Sequence, residues 1–142
     1  MRLRRCSSLI VAALLFSGCS GKKDVTNDPR YDFSDVIGTW KTKSPLWLKD
    51  SPETTLEPGG LYLDTTARDN NDPILTMVPA GTQIRIEHLM NDWTFNRDVL
   101  YAAGSLVSGP HAGKAIRLDK RLFSDRQTSV SKWKVAPEKL EK

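Results

Sequence analysis

Few side chains in this sequence have the type and spacing that catalysis or metal binding requires. The two histidines, His88 and His111, belong to no H-x-H, H-x-x-H or HExxH arrangement, which are patterns that place imidazoles around one metal ion. The stretch at 104–106 (GSL) lacks the flanking glycines of a nucleophilic serine elbow. Four aspartates stand in turn-like stretches, where Asp often caps backbone amides: Asp69, Asp72, Asp92 and Asp98. We therefore predict a protein that is not an enzyme and uses no cofactor or metal.

The stretch at 91–97 (NDWTFNR) places two aromatic side chains close to a basic one. Exposed aromatic residues and arginines are enriched at protein interfaces, so Trp93, Phe95 and Arg97 are candidate partner-binding residues. His111 joins them, because it lies in a glycine- and proline-containing loop (GPHAGK) that is typical of a hairpin turn. The other interpretation is that the aromatic residues fold over the end of the domain as a cap.

The N-terminal stretch that ends at Cys19 has the composition of a secretory signal. Arginines at positions 2, 4 and 5 precede an unbroken apolar run at 9–16 (LIVAALLF), and Phe16, Ser17 and Gly18 lead into the cysteine. A membrane-spanning helix needs about 20 apolar residues, so this run is too short to span and is typical of a removable signal. In these residues the sequence resembles the bacterial lipoprotein family, whose lipobox is an apolar residue and two small residues before a cysteine.

The resemblance implies that residues 1–18 are removed, that Cys19 carries a diacyl group on its sulfur, and that its new amine is acylated as well. In that family an aspartate after the cysteine retains the protein at the inner membrane, whereas this chain has Ser20. We therefore expect a lipid anchor in the outer membrane, with the protein on the periplasmic face. A plain secreted protein in which Cys19 has no role is the alternative.

Removal of the leader also changes the charge and the cysteine content. The full chain has 21 lysines and arginines against 17 acidic residues, and three of the basic residues lie in the leader. The mature chain is thus nearly neutral, a balance that does not predict a nucleic-acid partner. Cys6 leaves with the leader and Cys19 is acylated, so we expect no disulfide.

The rest of the chain divides into a predicted tether and one domain. Residues 19–35 are polar, carry both charge signs and show no period of 2 or 3.6, which is typical of a flexible tether. Residues 36–142 have the length of one small domain. Its last residues, at 137–142 (PEKLEK), are expected to form a charged tail.

The domain at 36–142 is predicted to be mainly β, because short apolar stretches alternate with proline and glycine turns. Residues 83–88 (QIRIEH) alternate most clearly and place Ile84, Ile86 and His88 on one face. Roughly seven short strands around one core indicate a small β-barrel or sandwich.

Two further features complete the predicted domain. Residues 99–106 are expected to form a strand that bends at Gly104. Trp40 and Trp133 lie in candidate strands near the two ends of the domain, and we expect both in its core.

Residues 74–89 form an apolar strand, then P-A-G-T, then an alternating strand, and Trp93 follows. This minor part of the domain resembles the middle of the bacterial Src-homology-three-like barrels, which implies a binding module for cell-wall material or protein partners. Together with the leader, it predicts a lipid-anchored, non-enzymatic interaction module of the envelope. Two alternatives stay open. One is a periplasmic inhibitor or immunity protein that plugs a toxin or lysozyme with a loop such as 108–114, and the other is a hydrolase with His88 or His111 beside a carboxylate.

Overall fold

The computed structural model describes residues 21–54, 57–68, 71–124 and 131–142. The predicted signal peptide and Cys19 lie outside the described residues. The described chain is mainly β, as the sequence predicts. None of its helices is long and apolar enough to cross a membrane.

The described chain consists of short strands and two single-turn 3-10 helices. The strands are β1 Gly21–Asp24, β2 Tyr31–Asp32, β3 Gly38–Thr42, β4 Leu46–Ser51, β5 Gly60–Asp64, β6 Ile74–Val78, β7 Gln83–Thr94, β8 Arg97–Leu106, β9 Ala115–Leu118, β10 Phe123–Ser124, β11 Ser131–Lys132, β12 Lys134–Val135 and β13 Leu140–Glu141. The 3-10 helices are Ser34–Val36 and Lys120–Leu122.

Nine strands form one sheet, in the order β13-β3-β7-β8-β9-β5-β4-β6, with β1 also paired to β7. Its neighbouring strands are antiparallel except for β5 and β9, which run parallel. In the described residues β13 and β6 end the sheet without pairing to each other, so it is not closed into a barrel. The predicted barrel is therefore corrected to an open sheet. Two small two-stranded sheets, β10 with β12 and β2 with β11, complete the described architecture.

The longest strand, β7, organises this sheet. Its first half pairs with β3, so that Trp40 lies opposite Ile84. Its second half pairs along the same edge with β1, so that Gly21 lies opposite Trp93. Along its other edge β7 pairs with β8 from end to end, since the chain turns back directly after Thr94. The β7–β8 hairpin therefore extends from β3, in the middle of the core, to β1, the first strand of the described chain.

A β-bulge interrupts the alternation of β7 at Glu87. Ile86 and His88 pair with two consecutive residues of β8, so Glu87 is an extra residue on its strand. The extra residue moves the side chains that follow it to the opposite face, with the result that Leu89 is buried and His88 is exposed. The prediction that His88 shares the inner face with Ile86 is therefore wrong.

Rows of apolar side chains that cross the sheet build the core. In the longest row each residue is the register partner of the next: Leu48, Leu63, Leu118, Ala102 and Leu89. All of them are buried. Because full burial of a leucine contributes about 1.5–3 kcal/mol, this row alone ties β4, β5, β9, β8 and β7 together.

Aromatic rings pack beside these rows. Trp133 is buried, and its ring lies edge-on to those of Phe33 and Phe123 at centroid distances of 5.5 and 5.2 Å. The prediction that Trp133 belongs to the core is confirmed. Trp40 is half-buried against the core, and its indole Nε1 donates a hydrogen bond to the carbonyl of Val36 at 2.8 Å.

Two segments, predicted as a flexible tether and a charged tail, belong to the folded domain. Within the predicted tether at 19–35, β1 pairs with β7, and Val25 and Phe33 are buried. At the other end β13 pairs with β3, and Leu140 is buried within the predicted charged tail. Both predictions are therefore corrected in the described part of the chain. Strands of two to four residues are too short to show a period of 2, which is why the pattern missed them.

Candidate functional site

The end strand β6 carries an unusual amount of exposed apolar surface. Ile74, Leu75 and Met77 are 45%, 50% and 49% exposed, respectively. One edge of β6 pairs with β4, and its other edge has no strand partner among the described residues. An end strand with apolar side chains and unpaired backbone groups is a template for another strand. We refer to Ile74–Val78 with this free edge as the β6 edge.

Buried contacts hold one end of β6 in place. Val78 is buried and pairs with Leu46 of β4. Directly after it, the carbonyl of Pro79 accepts hydrogen bonds from the hydroxyls of Thr42 at 3.1 Å and Thr82 at 2.7 Å. The β6 edge is thus presented by a fixed strand, as the apolar run and the following P-A-G-T turn predict.

A small apolar cavity lies beside the end of β6. Its volume is about 60 Å³, and its lining includes Met77, Leu106, Pro110 and His111. A water molecule occupies roughly 30 Å³ of liquid, so the cavity has room for one small aliphatic side chain. His111, predicted from sequence as a partner-binding residue, is half-buried in this lining.

Together, these features suit the addition of a strand from another chain. The free backbone N–H and C=O groups of β6 can pair with an extended peptide, and a neighbouring cavity can select one of its side chains. This chemistry is recognition, and it involves no bond breaking.

The other histidine lies beside a carboxylate on the surface. His88 Nδ1 is 2.8 Å from Asp24, and both side chains are about half exposed. Hydrogen bonds from Thr26, and more weakly the contact with His88, hold the pKa of Asp24 below its ordinary value. The Thr26 hydroxyl donates to the same carboxylate, so Asp24 contacts both the threonine and the imidazole.

The other candidates from the sequence, Trp93, Phe95 and Arg97, lie at the end of the β7–β8 hairpin. Their surroundings differ from one another. Phe95, in the turn, is 90% exposed. Trp93 is half-buried against Gly21, where a Cβ atom on the glycine would lie only 2.7 Å from the indole ring. Arg97 has a side chain only 3% exposed. The structure therefore brings Phe95 to the surface, whereas it buries the Arg97 side chain in contacts within the domain.

The buried side chain of Arg97 stabilises the end of the hairpin through several hydrogen bonds. Its guanidinium donates to Asp92 Oδ1 at 2.8 and 3.1 Å and to Glu53 Oε1 at 3.0 Å. It also donates to the carbonyls of Thr54 and Glu57 at 2.5 and 3.2 Å. Hydrogen bonds to Asp92 and then Glu53 raise the pKa of Arg97 above its ordinary value. Asp92, predicted to lie in a turn-like stretch, is instead a buried residue of β7.

A larger cavity of about 490 Å³ lies beside the ends of the parallel strands β5 and β9. Asp64 is the last residue of β5 and Asp119 directly follows β9, so parallel pairing brings the two carboxylates together. Lys49 Nζ lies 2.6 Å from Asp64, and Arg121 lies 2.8 Å from both aspartates. Burial raises the pKa of Asp119. The hydrogen bonds from Arg121 outweigh this effect, so the pKa lies below its ordinary value. We refer to this cavity as the polar pocket.

Tyrosine rings and a further arginine also line the polar pocket. Tyr62 and Arg117 are register partners on β5 and β9. The guanidinium carbon of Arg117 lies 5.2 Å from the ring centroid of Tyr62 and 5.7 Å from that of Tyr101. Sequence reasoning missed these residues because they come from three strands that no motif connects. The only signal was the alternation that separates Tyr62 from the leucines on either side of it.

Within the described residues, no cluster of three or more His, Cys, Asp or Glu side chains could hold a metal ion. No protein-family model matches the chain, and no curated protein or solved structure is significantly similar to it.

Proposed function

We propose that this chain is a lipid-anchored protein of the bacterial envelope whose β domain binds an extended segment of a protein partner along the β6 edge. The lipid on Cys19 attaches it to the periplasmic face of the outer membrane, and the domain acts without catalysis. One observation carries the partner-binding role: the free edge of β6 exposes Ile74, Leu75 and Met77 to about half of their full extent.

The composition of the β6 edge supports this role. Natural end strands are commonly protected by lysine, proline or a bulge. The ILTMV sequence of β6 contains no lysine or proline, and its one irregularity is a bulge at Leu75, where Ile74 and Thr76 pair with two consecutive residues of β4. Pro73 and Pro79 flank the strand and limit pairing to its five residues. Each added main-chain hydrogen bond contributes about 0.5–1.5 kcal/mol, and burial of the apolar side chains adds to it.

The proposed anchor lies next to the end of the β7–β8 hairpin. Gly21 pairs with Trp93, and only Ser20 separates Gly21 from Cys19. Two residues of chain span at most about 7 Å, so a lipid on Cys19 would be tethered close to this end of the hairpin. Phe95 lies two residues beyond Trp93 and is 90% exposed. Aromatic side chains are favoured at the membrane surface, so Phe95 inserts there as a second point of attachment.

The depth of a spin label at the hairpin turn tests this attachment. After leader removal and acylation, a cysteine introduced by Asn96→Cys is the only free thiol. In lipidated protein on vesicles, its nitroxide is expected to be accessible to oxygen and shielded from a water-soluble nickel complex. A label from Lys114→Cys, in an exposed loop, is expected to show the reverse.

A Cys19→Ala form of the labelled protein, produced without residues 1–18, is the control for the anchor. It is expected not to float with the vesicles, because Phe95 alone is too small an attachment. Flotation of the Cys19→Ala form would contradict the lipid anchor. Flotation of the lipidated protein with a water-exposed label at position 96 would contradict only the insertion of Phe95.

Leu75→Lys is expected to abolish partner capture from envelope extracts while the fold is retained. Leu75 is 50% exposed, so lysine is tolerated at the surface, but a charge on an end strand opposes strand addition. Pull-down with lipidated protein measures capture, and the thermal midpoint reports the fold. Phe95→Lys also replaces an exposed apolar side chain with lysine. It is expected to retain capture in detergent extracts.

A second candidate function is a periplasmic inhibitor that inserts Phe95 into the cleft of a toxin or lysozyme. Phe95 is 90% exposed on a hairpin that Arg97 stabilises, and this favours the inhibitor. Loss of capture in Phe95→Lys, with capture retained in Leu75→Lys, would support the inhibitor and contradict the β6 edge.

A further inference from the structure

The polar pocket contains one arginine that differs from its charged neighbours. Lys49 and Arg121 contact the carboxylates of Asp64 and Asp119. Arg117 Nε is instead buried and has no hydrogen-bond acceptor among the described residues. Loss of water on burial lowers the pKa of Arg117, although the negative charge of Glu57 partly opposes this.

A second unsatisfied donor lines the same cavity. The indole Nε1 of Trp133 is buried, and no described residue accepts its hydrogen bond. Buried donors without an acceptor are uncommon and destabilise a fold, so each calls for an explanation. Two such donors around one cavity of about 490 Å³ are explained by a ligand whose oxygen atoms accept from them.

The surroundings of Arg117 favour a ligand whose oxygen atoms belong to a planar group. Tyr62 and Tyr101 lie within cation–π distance of its guanidinium, at 5.2 and 5.7 Å. Contacts of this kind restrict the orientation of the planar guanidinium and leave its N–H edge to bind a ligand. A carboxylate matches that edge with two parallel hydrogen bonds.

The charge of the pocket disfavours a ligand with several negative charges. Four carboxylates line it: Glu57, Asp64, Asp72 and Asp119. They are balanced by Lys49, which contacts Asp64, and by the lining residues Arg117, Lys120 and Arg121. A polyphosphate would bring several negative charges into a region of no net charge, which is unfavourable at low dielectric.

We propose that the polar pocket binds a small monocarboxylate with an apolar body, whose carboxylate pairs with Arg117. Leu100, Leu118, Phe123 and the ring of Trp133 supply apolar lining for that body. Binding at this pocket is separate from the β6 edge and does not depend on the lipid at Cys19.

Titration of the full-length chain with sodium benzoate tests the proposal. Nuclear magnetic resonance of the indole N–H groups is expected to show saturable binding, with a shift at Trp133. Benzamide, the neutral analogue, and inorganic phosphate are expected to bind at least about tenfold more weakly, since neither supplies a singly charged planar carboxylate.

Arg117→Gln is expected to weaken benzoate binding by at least about tenfold. Because Arg117 Nε has no described acceptor, the substitution is not expected to lower the thermal midpoint. Lys41→Gln removes an exposed cation outside the pocket and is expected to leave benzoate affinity within about twofold. Arg117→Lys keeps the charge without the planar fork, so it is expected to bind with intermediate affinity, and it provides the test if the glutamine variant does not fold.

Three results would overturn the proposal. The first is the absence of saturable benzoate binding to the wild-type chain. The second is equal affinity in wild type, Arg117→Gln and Arg117→Lys. The third is phosphate or benzamide binding as tightly as benzoate.

Discussion

Lys49→Met is expected to destabilise the domain by about 3 kcal/mol. The Lys49 side chain is 0% exposed, and its ammonium lies 2.6 Å from Asp64, itself 2% exposed. Methionine keeps most of the volume but removes one partner of a buried ion pair, a change that costs about 3–5 kcal/mol. We place the effect at the lower end of that range because Arg121 still contacts Asp64. Denaturant unfolding followed by tryptophan fluorescence measures it.

Two further variants show whether the buried charge is the cause. Asp64→Asn added to Lys49→Met removes the buried carboxylate that has lost its lysine, so the double variant is expected to be more stable than Lys49→Met alone. Lys132→Met disrupts a pair of similar length, at 2.7 Å from Asp35, in which both side chains are at least half exposed. It is expected to have little effect. Equal losses in Lys49→Met and Lys132→Met would contradict the buried pair.

Gly104→Ala is expected to destabilise the domain by at least about 3 kcal/mol, beyond the usual effect of overpacking. The added Cβ would lie 1.8 Å from the carbonyl oxygen of Arg85 and 2.8 Å from its carbonyl carbon. These are backbone atoms of β7, which cannot move aside as a side chain would. The strands must therefore separate beside the Glu87 bulge.

Thermal unfolding of Gly104→Ala measures this effect, and Ser105→Ala is the matched control on the neighbouring residue of β8. Serine 105 is half-buried opposite Arg85, and its replacement adds no atom. We expect a midpoint close to that of the wild type for Ser105→Ala. A Gly104→Ala protein as stable as the wild type would contradict the close approach of β7 and β8 at the bulge.

The sequence predicts the strands of this fold better than their arrangement. Alternation correctly places Ile84 and Ile86 in the core. It could not show that Glu87 adds a residue to β7, because a bulge leaves the apolar and polar pattern on either side intact. Gly104 was expected to mark a bend, and the structure places it where two backbones approach most closely.

Closure of the sheet and the extent of the domain depend on contacts between distant residues. A barrel requires the two end strands to pair, and β6 and β13 are too far apart in sequence for a local pattern to decide this. The tether and tail predictions fail for a related reason. Val25, Phe33 and Leu140 are single apolar residues in polar segments, and only the folded core shows that they are buried.

The candidate site was partly predictable. The apolar run of β6, the exposed Phe95 and the loop position of His111 follow from sequence, but the place of β6 at the end of the sheet does not. Arg97 and Arg117 have equally ordinary sequence surroundings. The structure gives Arg97 five hydrogen bonds and leaves Arg117 Nε with no described acceptor. No pattern of residue types could have separated these two arginines.

Photo-cross-linking from two defined positions tests the central claim most directly. A benzophenone amino acid replaces Leu75 in one protein and Phe95 in another, and each lipidated protein is irradiated in intact bacterial cells. We predict an adduct with a defined protein from position 75, and no protein adduct from position 95, because the proposed attachment places Phe95 in lipid. A protein adduct from position 95 with none from position 75 would contradict the β6 edge as the partner-binding surface.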